Sequence, residues 1–204
     1  MKSNRRKFLQ AIGASPAGIA IGSAVAASPE AANAKNQDGQ LLLVGDNIAV
    51  ANTQYGKVRG YVLRGINYFL GMPYGADTSG ANRFMPPRKP ASWTDVYPAL
   101  WWGNSAPQNM ENRYANKFAS FRDHWNYDDV SEDCLRINVF TPAIADGKKR
   151  PVLFWIHGGG FTNGNGIEHD GYNGENFARL GDVVFCSINY RFGPLGFCIL
   201  AGFG

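Results

Sequence analysis

The chain has 204 residues, 45% hydrophobic and 13% aromatic, with a formal net charge of +4. This is globular composition, with length for one core and an N-terminal extension. Residues 1–34 carry four basic groups and one acidic, and the remainder carries 16 basic and 15 acidic. The globular part therefore has no basic excess of the kind that nucleic-acid binding requires.

Residues 1–34 read as an export signal peptide. NRRKFLQ gives a charged start with Arg5 and Arg6 paired, AIGASPAGIAIGSAVAA is weakly apolar, and Ala32-Asn33-Ala34 offers an A-x-A cleavage site. The segment resembles a twin-arginine signal, with Asn4 where Ser or Thr is usual and Gln10 where Lys is usual. It implies contact with the twin-arginine export machinery and a periplasmic or extracellular destination. A membrane anchor is the competing reading, against which stand Pro16, the many Gly and Ala residues and the short apolar length.

Beyond Lys35–Gln40 the pattern is strand-like. NIAVAN, KVRGYVLRG and INYFLGMPYG are short β-rich runs separated by glycine turns, which predicts a small antiparallel meander. RFMPPRKPASW follows, too proline-rich for a central strand or a helix interior. Over 109–125, Met110, Tyr114, Phe118, Phe121 and Trp125 recur every three or four positions, predicting an amphipathic helix whose aromatic stripe reads as packing.

In the second half, LRINVFTP, PVLFWIHGG and DVVFCSINYR are nearly continuous apolar runs, as expected of strands covered on both faces. NGENFARLG lies between the last two, predicting a helix capped by Asn173 and stopped at Gly181, and hence a βαβ unit. The fold class is α/β, a mixed sheet with an antiparallel N-terminal edge. Cys134, Cys186 and Cys198 have no metal-type spacing, and the last two read as small buried hydrophobes.

The apolar run ending at His157 delivers Gly158, Gly159 and Gly160 to the carboxyl edge of the sheet, where open α/β sheets bind ligands. Three glycines cost chain entropy, and the return is backbone N–H groups that no side chain crowds. Such donors can hold the negative oxygen that forms when a nucleophile attacks an ester carbonyl. A phosphate loop is the competing reading, but GGGFTNGNG lacks the Lys-Ser/Thr ending and opens into no apolar helix. A plain tight turn remains a third.

At this point four segments stand in order: TQYGKVRG with FLGMPYG and NRFMPP, then SEDCLRINVFTP, then PVLFWIHGGGF, then INYRFGPLGF. Together they resemble the N-terminal part of the type B carboxylesterases, the family of cholinesterases and bacterial p-nitrobenzyl esterases. The resemblance covers nearly all of 50–197. It implies the N-terminal portion of an α/β-hydrolase fold over 35–204 and hydrolysis of small carboxylic esters, with no cofactor or metal. It also implies that Gly159 and Gly160 give two oxyanion-hole donors, that Phe161 lines the pocket, and that Trp125 lies near an aromatic pocket wall, with packing its alternative. Glu132 would be a buried carboxylate paired with Arg83, with Arg191 as a second candidate. Many relatives bond the cysteine matching Cys134 to one before a Pro-Gln pair; Ala106 stands there in SAPQ, so Cys134 is expected to be a free thiol.

The family nucleophile is the serine of G-x-S-x-G, and these 204 residues contain no such motif; GASPA in the leader is no elbow. His124 and His169 have no serine, acid or metal-type partner at recognisable spacing. The expectation is therefore an incomplete sequence of a longer serine esterase. The alternatives are a truncated inactive product and a noncatalytic esterase-like binding or adhesion module.

Overall fold

The computed structural model describes residues 42–109 and 129–198, all within one compact unit. The helix expected over 109–125, with Trp125 on it, falls outside these residues from position 110 onward, as does the leader. Nine strands are described: β1 Leu42–Leu43, β2 Val50–Asn52, β3 Lys57–Arg59, β4 Tyr61–Leu63, β5 Ile66–Pro73, β6 Tyr97–Pro98, β7 Arg136–Thr141, β8 Val152–Ile156 and β9 Val184–Ile188. Two short helices accompany them, α1 Glu175–Gly181 and α2 Gly193–Phe197.

Six strands form one sheet in the order β1-β4-β5-β7-β9-β8, and β2-β3-β6 form a second. Everything from β1 to β9 in the large sheet pairs antiparallel, and β8 runs parallel to β9 through α1. The expected antiparallel edge and βαβ unit are both present. The meander is interrupted, however: KVRGYVLRG is not one strand. The chain leaves the small sheet at Arg59 and enters the large one at Tyr61, and the Gly60 N–H between them donates to Ala49 O at 2.9 Å. Arg64 and Gly65, both with positive φ, then turn β4 tightly into β5.

The alternation along β5 builds two cores, because successive side chains of a strand face opposite ways. Tyr68 and Leu70 join Ile66, Phe140, Phe185 and Ala178 of α1 on one face. Phe69 joins Val58, Val62, Ala49 and Ala99 on the other, between the two sheets. Phe140 meets Tyr68 and Phe185 edge-on, with centroids 4.9 and 6.0 Å apart. Fully burying such a side chain contributes about 1.5–3 kcal/mol.

Two buried polar groups explain an irregularity in the sheet. The register of β5 against β7 slips between Phe69 and Met72. Asn138 fills the gap, accepting from Gly71 N at 2.9 Å and donating to Ser187 Oγ at 3.1 Å. A buried carboxamide thus has both ends satisfied, as burial requires.

Three expectations need correction. The N-cap of α1 is Gly174 rather than Asn173, which stands one residue earlier with its Oδ1 accepting from Glu175 N at 3.0 Å. Nor does Gly181 stop the helix; it is the last helical residue, and Asp182 takes the left-handed conformation with φ 48°. Cys186 is buried as expected, whereas Cys198, just past α2, is exposed. Lastly, β8 is not covered on both faces among the described residues. Since β9 inserts between β7 and β8, β8 is the outermost strand, and Val152, Phe154 and Ile156 on one face are 62, 51 and 61% exposed.

Candidate functional site

The carboxyl ends of β8 and β9 and the amino end of the antiparallel β7 share one edge of the sheet. Asn189 N donates to Arg136 O at 2.9 Å there, and the glycine run leaves the sheet beside them. His157 is the anchor. It is almost fully buried, its ring stacked on Tyr190 at 4.5 Å and meeting Phe192 edge-on at 5.5 Å. The Tyr190 hydroxyl donates to His157 O at 2.7 Å, fixing the backbone as well as the ring. Nδ1 lies 2.8 Å from Gly158 O, which assigns the proton to Nδ1, and Nε2 has no hydrogen-bond partner among the described residues. Burial lowers the pKa of the imidazole from its ordinary value, so His157 is neutral near pH 7.

After His157 the backbone turns through three consecutive positive φ angles, at Gly159 (122°), Gly160 (62°) and Phe161 (62°). Gly159 is obligatory, because a Cβ there would lie 1.8 Å from Asn163 O. The Gly159 carbonyl is held inside the turn, accepting from Thr162 N at 3.1 Å, Asn163 N at 3.2 Å and Thr162 Oγ1 at 3.0 Å. The N–H groups of Gly159 and Gly160 donate to nothing among the described residues, and both glycines are exposed. Two adjacent donors are thus presented at the sheet edge with their own carbonyl partly tied back. That arrangement can accept negative charge on a ligand oxygen.

Phe161 carries the loop back. Its carbonyl accepts from Gly193 N at 2.8 Å, and its ring lies 4.6 Å from that of Phe197 in α2. The ring is 60% exposed. Beside α2, Phe84, Arg191, Pro194, Leu195, Gly196 and Cys198 line a cleft of about 370 Å³, within the size range of small-ligand sites.

The Arg83 guanidinium forks onto Glu132, with Nε 2.8 and 3.0 Å from the two carboxylate oxygens. This hydrogen-bonded pairing holds the Glu132 pKa below its ordinary value. The pair is not buried: both side chains remain solvent-accessible, since the crossing it ties lies at the surface. Arg191 is not its partner; Arg191 Nη1 donates to Met85 O at 3.0 Å. Ala106 and Cys134 share one buried cluster with Phe192, and Cys134 is a free thiol whose pKa burial pushes up to about 12. Trp125 and His124 lie outside the described residues. His169 stands 3.7 Å from the Glu168 carboxylate and edge-on to Tyr172. No group of three or more His, Cys, Asp or Glu side chains able to hold a metal occurs among the described residues.

Sequence reasoning missed the polar residues that hold the far side of the loop. Gln108, Ser105 and Asn189 converge on residues 164–166, where Asn165 reaches out to Ser105. The alternating N-G-N-G of Asn163–Gly166 was the available signal, since paired Asn-Gly steps at a sheet edge imply a loop held by side-chain amides.

The model of the carboxylesterase family matches residues 47–202. Phenmedipham hydrolase of Pseudarthrobacter oxydans is 43% identical over 155 residues, covering 76% of this chain and 30% of that protein. The para-nitrobenzyl esterase of Bacillus subtilis (strain 168) is 38% identical over 154 residues, with the same two coverages. Among solved structures, an esterase from anaerobic Clostridium hathewayi that can hydrolyse aliphatic aromatic polyesters superposes with a TM-score of 0.71 at 35% identity. That match covers 81% of this chain and 32% of the other. The chain thus spans about 30% of the length of the curated relatives it matches.

Proposed function

Since the chain belongs to the carboxylesterase family, with the sheet of the α/β-hydrolase esterases, we propose that the whole protein hydrolyses small carboxylic esters through an acyl-enzyme. The observation that carries this is the pair of adjacent N–H groups at Gly159 and Gly160, unengaged among the described residues and on exposed glycines, in a turn that leaves no room for a Cβ at Gly159. A serine at a G-x-S-x-G elbow, a motif these 204 residues do not contain, attacks the ester carbonyl. Its proton passes to a histidine base, and the carbonyl oxygen becomes an oxyanion held by the two glycine N–H groups. Collapse breaks the ester C–O bond, the alcohol leaves with that proton, and water releases the acid by the same route. Phe161, with Phe197 behind it, forms one wall of the substrate site.

The test is direct. The whole protein is expected to hydrolyse p-nitrophenyl butyrate and to label with a fluorophosphonate probe, and residues 1–204 alone to do neither. Absence of both activities in the whole protein would overturn the esterase reading. Labelling of 1–204 would overturn the placement of the nucleophile.

Residues 1–34 we assign to export by the twin-arginine route, on the strength of Arg5-Arg6, the weakly apolar stretch and Ala32-Asn33-Ala34. A variant with Lys at both positions 5 and 6 is expected to keep the precursor inside the cell. Export at the wild-type level would count against the assignment.

A further inference from the structure

The oxyanion reading leaves open what fixes the direction of the two glycine N–H groups, because Gly160 has nothing within 4 Å of where its Cβ would stand. The restraint comes from the far side of the loop. Gly164 is buried with φ 109°, and a Cβ there would lie 2.7 Å from both Gly158 O and His157 Nδ1. The Gly164 backbone is therefore seated directly on the His157–Gly158 peptide, from which the glycine run departs. Gln108 grips that same residue from both sides. Its Nε2 donates to Gly164 O at 3.0 Å, and its Oε1 accepts from Gly164 N at 2.8 Å. The second Nε2 hydrogen goes to Ala106 O at 3.0 Å. A carboxamide donates and accepts at once in this geometry, which an ionised carboxylate of the same size cannot do.

The neighbouring positions are held in the same way. Asn165 Nδ2 donates to Ser105 Oγ at 3.0 Å, Gly166 N donates to Asn189 Oδ1 at 2.7 Å, and Asn189 Nδ2 returns to Asn104 O at 2.8 Å. Ser105, Asn165 and Asn189 are all buried. Gly164 and Gly166 are thus held through their backbones, and Asn165 through its side chain, by uncharged groups.

We propose that Gln108 is a positioning residue for the glycine loop: its two-way pairing with Gly164 fixes the peptide from which the Gly159 and Gly160 N–H groups are presented. This rests on the esterase reading for its catalytic consequence, though not for the clamp itself. A donor displaced by about 1 Å costs on the order of a hundredfold in rate.

The experiment uses the whole protein and two substitutions. Gln108→Ala removes both bonds. Gln108→Glu, of equal size, keeps an acceptor for Gly164 N–H but turns a second oxygen toward Gly164 O, so it tests the clamp if the alanine variant fails to fold. Amide exchange is followed in peptides covering 158–166 and 184–189, together with kcat and KM for p-nitrophenyl butyrate. The clamp predicts about tenfold faster exchange in 158–166 with 184–189 unchanged. Positioning predicts a kcat loss of about ten- to a hundredfold with KM within about threefold. Unchanged exchange would overturn the clamp, and faster exchange with an unchanged kcat would overturn the positioning role. A wild-type protein inactive on esters would count against the esterase reading, and the exchange arm would still decide the clamp.

Discussion

At the scale of single residues, the glycines of the run are not equivalent. Gly159 has no room, since Asn163 O lies 1.8 Å from where a Cβ would stand, whereas Gly160 has the same open surroundings that leave its N–H exposed. Gly159→Ala must therefore shift the turn and redirect both donors. We expect kcat to fall by about a hundred- to a thousandfold, the usual effect of losing an oxyanion donor. Gly160→Ala meets only the cost of a left-handed alanine, about 1–2 kcal/mol, and should lose about tenfold or less. Steady-state kinetics on p-nitrophenyl butyrate separate the two, and equal losses would refute the distinction. His157 supplies a second prediction. Burial lowers its pKa in the folded chain below the ordinary 6.5, so the unfolded chain binds the proton more readily. Its contribution to stability is thus intact above about pH 6.5 and is lost as pH falls through and below that value. Urea midpoints at about pH 7.5 and 5.5 should drop less in His157→Asn than in the wild type, and parallel drops would exclude His157 as the source.

At the scale of elements, the crossover helix is tied to the β4–β5 turn by a network the sequence did not announce. Glu175, buried at the start of α1, receives Tyr68 Oη at 2.6 Å and Arg64 Nη1 at 3.0 and 3.1 Å. Burial first, and then the Glu175 carboxylate, raise the pKa of both tyrosines beside it, Tyr61 to about 12 and Tyr68 further. Glu175→Ala leaves the buried Tyr68 hydroxyl without that acceptor. Because Arg64 is partly solvated, the expected cost is about 1–3 kcal/mol rather than that of a fully buried pair. A urea midpoint unchanged from the wild type would contradict it. Glu175 illustrates which parts of the fold were legible. Strands β5, β7 and β9 could be read because their apolar runs reflect burial directly, and the glycine run because its cost demands a use. β8 was legible as a strand, but its apolar run misstated its burial, since one face stands open among the described residues. Arg64 and Glu175 are 111 residues apart, and Gln108 and Gly164 are 56 apart. Nothing local marks such pairs. The break at Gly60 was hidden for a related reason, since neighbouring strands of one apolar run can serve different sheets. SAPQ drew attention for the cysteine it lacks, although its glutamine is the residue that reaches the loop.

At the scale of the whole molecule, the sheet is built asymmetrically. Its inner strands β7 and β9 are buried, and the β1 end is a two-residue strand, which offers little edge for pairing. The β8 end is the opposite: five apolar residues with no charge, paired on one side only among the described residues. Its two faces differ. Leu153 packs against the core and Trp155 lies 5.0 Å from Tyr172, while Val152, Phe154 and Ile156 on the other face stand open. An uncharged strand with free backbone groups and three exposed apolar side chains is a template for another strand. Residues 1–204 expressed alone are therefore expected to self-associate, and to do so through this strand. Phe154→Lys places a charge in the middle of the open face without touching Leu153 or the β9 hydrogen bonds, and should shift the chain toward the monomer in gel filtration. Pairing through β8 also shields its backbone, so amide exchange at 152–156 should slow as concentration rises in the wild type and not in the variant. A monodisperse wild-type chain, or association undiminished by the lysine, would show that the open face of β8 is not what joins the copies.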